Sequence, residues 1–501
     1  MRRVRVVCAV IAMLFGAGAR SEAQEAKPGA PSSPAPAPAA PGPKKLKVGS
    51  LDVSVIWRSR LEMWDWFEGA RGNNDYAFGH SLLRLGVGQT RPGVTWFAEF
   101  SQPTLLGLPD DAVAPAPLGQ LGLGGTYYVA NDQKTNTAGF FLKQGFVQFN
   151  RLGRSTLKVG RFEFFDGTEA AQADPVVTAL VNGRIAHRLI SNFGFTVAQR
   201  SFDGGLWRMT QGPNTVAGFY GRPTTGVFQV GGWKDLDIDV FYGSYNRGVK
   251  SARGAGSLRV FGVGYADHRT SVLKTDNRPL AVRQADHEAI TFATLGADYV
   301  YVFDTGAGKV DVLGWVVGQF GSWGTLSQRA SAFVGEAGWQ PHARLKPWIR
   351  GGYSYGSGDD NPNDGTNGTF FQLVTTPRQY ARFPFYNMMN NRDLYGLVTL
   401  RPGPKVTLGS EVHRLWLASG SDLWYGGGGP FQESTFGFAG RPGYGKSPLA
   451  SVWDLSADTA LTRHLALNLY FGHAWGSDVI EGSFPNSANG SLGYVETVVR
   501  F

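Results

Sequence analysis

Apolar and polar side chains alternate in the first segment of the chain for which regular structure is predicted. From residue 51 to residue 63 (LDVSVIWRSRLEM) the odd positions are mostly apolar, whereas the even positions include Arg58, Arg60 and Glu62. A period of two places successive side chains on opposite faces of a β-strand. A tilted strand needs about ten residues to cross a bilayer, and this run is long enough. The pattern predicts a membrane-spanning strand with one lipid-facing side and one charged, inward-facing side.

The same alternation recurs along the rest of the chain. Leu236, Ile238 and Val240, for example, alternate with Asp237 and Asp239, so we expect the aliphatic set to face lipid. Counting such runs predicts an all-β fold, an antiparallel transmembrane β-barrel of about eighteen strands. The predicted strands lie near residues 50–65, 80–90, 93–102, 139–151, 154–165, 199–211, 213–222, 233–246, 256–268, 287–304, 307–322, 328–340, 343–356, 391–402, 404–418, 450–461, 463–476 and 490–501.

The connections between these strands fall into two classes. Links after even-numbered strands are mostly tight turns, such as those at Pro92, Gly153 and Gly212. Several links after odd-numbered strands are long. Short periplasmic turns opposite long extracellular loops are typical of outer-membrane barrels, so the chain is expected in a bacterial outer membrane, in contact with its lipid. The long links cover residues 103–138, 166–198, 357–390 and 419–449.

The C-terminus adds an independent indication. Gly493, Val495, Thr497 and Val499 form the outward row of a last strand that ends on Phe501. A terminal phenylalanine on an alternating strand resembles the signal that the barrel-insertion machinery recognises. We therefore expect that machinery as a partner in assembly.

The N-terminus predicts export. A basic stretch (MRRVR) precedes an apolar run and a small-x-small pattern that ends at Ala23, which indicates a signal peptide over residues 1–23. The only cysteine, Cys8, lies inside it, so disulfides and cysteine-based sites are excluded from the mature chain. Residues 24–47 are rich in alanine and proline and predict an extended periplasmic tail. Residues 48–501 remain for the barrel.

Composition narrows the function classes. Loss of the signal peptide removes four arginines and one glutamate, which lowers the formal charge from +9 to +6. No cluster of five or six basic residues occurs, so a nucleic-acid partner is not expected. No run of 18 apolar residues follows the signal peptide, which excludes transmembrane helices. Aromatic residues make up 13% of the chain and the mean hydropathy is only −0.17, as expected when every second strand residue is polar.

An eighteen-stranded barrel is too wide for side chains to fill, so we expect a water-filled lumen. The strands predicted at 154–165 and 199–211 alternate poorly. Because a charge in lipid is costly, we expect their charged residues to face this lumen or a neighbouring group. These residues are Arg161, Glu163, Arg200, Asp203 and Arg208. The alternation itself predicts a second set of inward side chains, namely Arg58, Arg60, Glu62, Arg84, Glu99, Arg350, Glu411 and His413.

Five segments in order resemble the alginate-export family of outer-membrane barrels. They are LKVGRFEFFDG (157–167), RSFDGGLWR (200–208), YGSGDDNPNDGTNGTFFQL (355–373), EVHRLWLASGSDLWYGGGG (411–429) and RHLALNLYFGH (463–473).

The resemblance implies an eighteen-stranded, monomeric barrel. It also implies a lumen in which arginines and acids form an anion-selective path for a carboxylated polysaccharide. By position in the matching segments, Arg161, Arg200 and Asp203 would be the family-type pore charges, and Arg60 and Glu62 would belong to the first strand.

These observations favour a channel for an anionic polysaccharide or saccharide. We expect passage in the direction of export. A general or anion-selective diffusion porin is the alternative, and a barrel enzyme or adhesin is a less favoured one. We expect no catalysis, because the histidines are scattered and no nucleophile or metalloprotease motif is present. Two interpretations exist for Trp64, Trp66 and Tyr470. They face the lumen and stack on sugars, or, as the favoured interpretation, they belong to the aromatic girdles at the membrane interfaces.

No cofactor is expected, with one possible exception. The loop over residues 357–369 carries Asp359, Asp360 and Asp364, and clustered oxygen ligands are what calcium prefers. The loop lacks the glutamate that an EF-hand places at its twelfth position. A solvated extracellular loop is the alternative to a structural calcium site.

Overall fold

The computed structural model describes residues 46–501. The predicted signal peptide (1–23) and all but the last two residues of the predicted tail (24–47) lie outside this range. Eighteen antiparallel strands, β1 to β18, follow one another, and each pairs with its neighbours in sequence. The prediction of an all-β, antiparallel barrel of about eighteen strands is confirmed.

The strands contain between 8 and 16 residues. They are Leu51–Asp65 (β1), Asp75–Thr90 (β2), Val94–Leu106 (β3), Phe141–Leu152 (β4), Ser155–Phe162 (β5), Phe202–Gln211 (β6), Asn214–Pro223 (β7), Ile238–Ser251 (β8), Gly254–Asp267 (β9), Ile290–Thr305 (β10), Gly308–Trp323 (β11), Leu326–Pro341 (β12), Trp348–Gly356 (β13), Asn391–Gly403 (β14), Val406–Leu417 (β15), Pro448–Ala460 (β16), Leu465–Gly476 (β17) and Asn489–Arg500 (β18).

The sheet closes on itself between its first and last strands. β1 pairs with β18 from Ile56 opposite Arg500 to Asp65 opposite Ser491. The backbone of Phe501 continues this ladder, since its N–H donates to the carbonyl of Val55 at 2.9 Å and its carbonyl accepts from Val55 at 3.0 Å. Closure leaves no open sheet edge. An open edge would be unstable in a bilayer, because its unpaired backbone groups would find no water to bond with there.

The connections differ strongly between the two ends of the barrel. At the end that also holds both termini of the described chain, the eight turns are short. At the other end nine loops connect the strands, and by outer-membrane topology this end is extracellular. The loops cover residues 66–74 (L1), 107–140 (L2), 163–201 (L3), 224–237 (L4), 268–289 (L5), 324–325 (L6), 357–390 (L7), 418–447 (L8) and 477–488 (L9).

The loops carry the helical segments of the described chain. L2 contains α1 (Leu123–Ala130), and L3 contains α2 (Pro175–Leu180) continued by a π-helical turn over Val181–Ile185. L5 and L9 contain α3 (Leu280–Ala285) and α4 (Asp478–Ser483), and L7 contains a 3₁₀ turn at Pro377–Gln379. Across residues 46–501, no helix combines the length and the apolar character needed to span a membrane.

Small strands shape the loops further. Leu423–Gly427 pairs with Phe438–Pro442 to form a hairpin in L8, and Val113–Ala114 pairs with Gly119–Gln120 in L2. Three others extend the barrel sheet at its ends, namely Leu46–Val48, Thr137–Ala138 and Thr366–Asn367.

The outer face of the barrel is apolar, as the alternation predicts for β1. Trp57 and Leu61 are about half exposed on this face, and their neighbours Arg58, Arg60 and Glu62 point inward and are buried. Membrane lipid covers the outward rows, and alternation keeps charges away from it.

The prediction for β8 is wrong. Ile238 and Val240 are fully buried inside the barrel, whereas Phe241 is 53% exposed on the outer face and Asp239 lies beside it at the rim. The aliphatic row faces inward because the interior at this height is filled with loop residues and not with water. An alternating strand reports two faces but does not say which face meets the apolar medium.

Candidate functional site: the lumen and its loops

Two long loops fold back into the barrel and join each other there. A parallel bridge links Ile190 of L3 to Val374 of L7, with Val374 N donating to Leu189 O at 3.1 Å. The hydroxyl of Thr375 donates to His187 O at 2.8 Å. L3 and L7 therefore form one unit, which we call the plug (residues 163–201 and 357–390).

The local sequence explains the shape of L3. Asp174 caps α2 by accepting hydrogen bonds from Val176 N and Val177 N at 2.8 and 3.0 Å, and Pro175 occupies the first helical position. Asp166 accepts from the backbone of Leu189 and Ile190, which draws the two ends of the helical segment together. Burial raises the pKa of Asp166 to about 6.

One side of the plug is bound to the wall at β1. Arg58 donates to Gly194 O at 2.6 Å and also to Thr196 O, and Arg60 donates to Phe195 O at 3.0 Å. The inward arginines of this strand therefore hold the backbone of L3.

The opposite side of L3 is bound to the wall at β12. Arg184 Nη2 lies 2.8 Å from Glu336 Oε1, and Arg188 lies 3.6 Å from the same carboxylate. Arg350 of β13 contacts Glu336 at 3.2 Å, and Tyr395 of β14 donates to it at 2.7 Å. L3 thus crosses the lumen from β1 to β12 and is held at both ends by buried charges.

L7 is fixed to a third part of the wall. Arg382 lies 3.2 Å from Glu411 of β15, and Arg378 donates to the Tyr494 hydroxyl at 3.1 Å. The ring of Phe195 lies between the guanidinium carbons of Arg60 and Arg378, at 3.9 and 4.0 Å from its centroid. Stacked guanidinium groups keep this ring in place at the centre of the plug.

The plug is continued by L8 at the extracellular mouth. Arg200, the penultimate residue of L3, donates to Gly428 O at 2.9 Å. The side chain of Gln432 donates to Ala130 O of L2 at 2.7 Å, so L2, L3, L7 and L8 contact one another above the lumen.

Most inward charges predicted from alternation lie inside the barrel and are neutralised. Arg60 contacts Glu496 at 2.5 Å and Glu62 at 3.1 Å. Arg84 contacts Glu99 at 2.6 Å, and it also contacts Glu163 of L3 at 3.3 Å. Buried pairs of this kind fix geometry but provide little net field for a solute.

His413 lies in the same interior region. Its Nδ1 is 2.9 Å from Asp393, and its Nε2 is 3.7 Å from Glu411 and 3.9 Å from Asp454. Carboxylates surround this imidazole, and Tyr386 is the only hydroxyl among the hydrogen bonds that the structure describes for it. The arrangement is that of a buried ionic cluster in the wall.

Two predicted pore charges are placed differently from the prediction. Arg161 of β5 pairs with Asp203 of β6 at 2.6 Å, and both share the outward face with Val159 and Trp207, which are 49% and 37% exposed. The pair lies at the extracellular rim, where Arg161 also donates to Trp233 O of L4. Arg161 and Asp203 therefore do not line the lumen, because the alternation of β5 and β6 directs them outward.

Arg200 is also not exposed to a solute path. Its side chain is fully buried beneath L8, and within residues 46–501 no carboxylate lies within 4 Å of it. Burial lowers the pKa of Arg200 to about 9. The residue anchors L3 and L8, whereas the sequence predicted a pore charge.

Arg208 of β6 does face the lumen, and Lys158 of β5 lies beside it. Lys158 is opposite Leu206 in the strand pairing, so Arg208 is its diagonal neighbour, a relation that typically separates side chains by about 7–8 Å. Both side chains are half-buried, and in the described part of the chain neither has a carboxylate within 4 Å. Lys158 approaches only the rings of Phe146 and Phe162, at 4.4 and 5.3 Å.

The predicted aromatic girdle residues lie inside the barrel. Trp64, Trp66 and Tyr470 are 2%, 4% and 1% exposed. Trp64 donates to Glu62 at 2.9 Å, and Tyr470 donates to Asp454. They pack against the plug, so the favoured interpretation of these three residues is wrong.

The acidic loop in L7 does not gather into a metal site. Asp359 Oδ1 accepts from Asn361 N and Asp364 Oδ1 accepts from Thr366 N, which are turn contacts. Across residues 46–501 no group of three or more acidic, histidine or cysteine side chains is placed to hold a metal ion, and that includes Asp359, Asp360 and Asp364.

Sequence reasoning missed several residues that organise the lumen. Glu336 and Glu496 occupy inward positions of alternating strands, so the alternation rule alone could have found them. Arg184, Arg378 and Arg382 lie in loops, where no periodicity signals that a side chain will enter the barrel.

Residues 126–491 match the family model described as Alginate export. The chain belongs to the Alginate export family. The match covers the plug, strands β4 to β17 and all five of the segments that resemble this family. No curated protein matches the chain in sequence.

Solved porin structures share the fold. OccK9 (OpdG) of Pseudomonas aeruginosa aligns with a TM-score of 0.55 and 11% identity over 90% of this chain and 98% of its own. A BenF-like porin from Pseudomonas fluorescens Pf-5 and OccAB2 of Acinetobacter baumannii both align at 0.54, with 9% and 7% identity and the same coverage. These likenesses concern the fold alone. This member of the Alginate export family is a porin-like β-barrel of the bacterial outer membrane.

Proposed function

We propose that this family member is an anion-selective channel for a carboxylated saccharide, with Lys158 and Arg208 as the cations that attract it. The observation that carries the proposal is the state of these two side chains. They are half-buried on the lumen wall without a carboxylate within 4 Å in the described chain, whereas Arg60, Arg84 and Arg350 are neutralised. The family assignment supports a saccharide as the solute.

A cation pair of this kind acts through its field. Low-dielectric walls focus the potential of two adjacent positive charges into the lumen and raise the local concentration of anions. Because both side chains remain partly exposed, they bind a carboxylate weakly enough for release, which conduction requires.

The plug determines how large the solute can be in this conformation. L3 and L7 cross the barrel between β1, β12 and β15, so a polymer chain would have to displace them. We propose that short saccharides pass around the plug and that a polymer passes only when L3 moves. Passage in the direction of export remains part of the proposal.

Reversal potentials in planar bilayers test this function. Wild-type protein in a KCl gradient should be anion-selective, and Lys158→Gln/Arg208→Gln should shift the reversal potential toward that of a cation-selective pore. The shift should shrink at 1 M salt, where the Debye length is about 3 Å. A trimeric uronate should reduce the wild-type current more than a neutral trisaccharide does.

A charge-matched control separates lumen from surface effects. Arg247→Gln/Arg253→Gln removes the same charge from exposed positions on the outer side of β8 and in the turn after it. This control should keep the wild-type reversal potential. A cation-selective wild type, or a Lys158/Arg208 double variant identical to wild type, would refute the proposal and leave a general porin.

A further inference from the structure

A second region of the barrel has a different chemistry. At the extracellular mouth, residues of L2, L3, L4, L5, L7 and L8 line a cavity of about 370 Å³ together with Trp64 and Trp66 at the end of β1. Aromatic side chains dominate its lining, and none of the lining residues is acidic. The rings include Trp66, Phe195, Phe228, Phe436 and Phe438.

Arg441 supplies the only charge of this lining. It lies on the L8 hairpin opposite Trp424, and its guanidinium carbon is 5.0 Å from the Trp424 ring and 5.9 Å from the Trp66 ring. The side chain is 5% exposed and donates to the carbonyls of Leu118 and Gln120 at 2.7 and 3.0 Å. In the described chain it has no carboxylate within 4 Å. Burial lowers the pKa of Arg441 to about 10, so the group is cationic at neutral pH.

Two further polar groups of the lining lack a partner. The indole Nε1 of Trp66, a residue only 4% exposed, has no hydrogen-bond acceptor, and the hydroxyl of Thr435 has neither donor nor acceptor. A buried N–H without an acceptor is unfavourable and is uncommon in folded proteins. An unpaired cation, an indole donor and a hydroxyl therefore occur together in an otherwise apolar cavity.

We propose that this cavity binds a monocyclic aromatic carboxylate. The carboxylate is held by Arg441 and the Trp66 indole N–H, and the ring packs among the phenylalanines. A ring hydroxyl finds its partner in Thr435. A few polar groups that orient a ligand within an apolar lining are typical of small-molecule sites of this volume.

The lining favours an aromatic ring over a sugar ring. A uronate carries several hydroxyls, each of which loses hydrogen bonds to water on burial and needs a partner in the site. Several polar side chains of the lining are already engaged: Thr126 donates to Gly122 O, Gln432 donates to Ala130 O and Thr275 donates to Phe438 O. The inference does not rest on the proposed function, because no residue of the Lys158–Arg208 pair lines this cavity.

Calorimetric titration of the purified, folded full-length barrel with 4-hydroxybenzoate tests the site. We expect binding of 4-hydroxybenzoate, and weaker binding of both 4-hydroxybenzyl alcohol, which lacks the charge, and glucuronate, which lacks the apolar ring. Trp66→Phe keeps a ring but loses the donor, and Arg441→Gln loses the charge. Removing a hydrogen bond to a charged group weakens binding by about tenfold or more.

Trp233→Phe is the matched control, because this indole donates to Phe140 O outside the cavity. It should bind as the wild type does, and so should Lys158→Gln/Arg208→Gln. If Arg441→Gln does not assemble, Trp66→Phe decides. Absence of binding, glucuronate binding at least as tightly, or unchanged affinity of Trp66→Phe would each overturn the proposal, whatever the reversal potentials show.

Discussion

The two halves of the lumen have opposite designs. In the extracellular half, inward residues such as Ile238, Gln319 and Leu492 are fully buried, because loops fill the barrel at this height, and the Gln319 side chain donates to Phe371 O of L7 at 2.7 Å. In the periplasmic half, inward residues such as Lys158 and Arg208 remain partly exposed, and no loop reaches them with a carboxylate in the described chain. The difference arises from the loops, which all return from the extracellular end.

This contrast separates two uses of charge. In the extracellular half, most charges of the strands are paired and buried, and they hold loop backbone in place, as Lys143 does by contacting Glu163 at 3.3 Å and donating to Arg200 O at 2.6 Å. In the periplasmic half, Lys158 and Arg208 keep their field, because they are partly exposed and have no carboxylate within 4 Å in the described chain. A count of lumen arginines therefore overestimates the positive potential that a solute meets.

The largest effect is expected from the carboxylate that holds L3. Glu336→Ala leaves Arg184 and Arg188 buried without this carboxylate, and breaking a buried ion pair costs about 3–5 kcal/mol. L3 should detach from β12, which raises single-channel conductance and lowers the temperature at which the barrel unfolds on gels.

The control for this variant is Glu433→Ala. Glu433 pairs with Lys234 at the surface, and both side chains are more than 60% exposed. Such a pair contributes about 0–1 kcal/mol, so conductance and unfolding temperature should stay close to wild type. If Glu336→Ala conducts and unfolds like the wild type, the plug is not held by this carboxylate.

A smaller effect is expected from acidification. Burial lowers the pKa of His187 in L3 to about 4, whereas a released histidine titrates near its ordinary value of about 6.5. The stabilising contribution of neutral His187 is complete above about pH 6.5 and is lost as the pH falls toward 4. Asp166 opposes this, because its pKa is raised to about 6 and protonation favours its buried state.

His187→Phe isolates the histidine contribution. On a change from pH 7 to pH 5, the wild type should gain more conductance, or lose less, than the variant does, because only the wild type carries the histidine that favours release of L3. Equal responses of the two proteins would show that His187 stays neutral or that L3 does not move.

The smallest effect is expected at the rim. Arg161→Gln should leave the reversal potential unchanged, because this arginine points outward and is neutralised by Asp203 at 2.6 Å. The same measurement on Lys158→Gln/Arg208→Gln provides the comparison. A shift from Arg161→Gln as large as that of the double variant would mean that the rim charges and not the periplasmic pair set selectivity.

The sequence by itself determined the barrel. The number of strands, the short and long ends and the inward position of Arg58, Arg60 and Glu62 follow from a period of two and from turn residues, which are local properties. The described structure agrees with them because closure of a membrane barrel requires every strand to obey the same alternation. Lys158 was missed, although it lies on the same face as Arg208.

Only the tertiary structure decided what fills the barrel. The direction of the aliphatic row in β8 depends on whether loops or water occupy the interior at that height, and a strand sequence holds no information about this. The sequence predicts a pore charge for Arg200, but L8 covers this residue in the structure. The sequence likewise favours an interfacial position for Trp66, but L2 and L8 surround it. Loop folding joins residues hundreds of positions apart, as Arg441 and Leu118 are joined here, and such contacts depend on shape that no local pattern encodes.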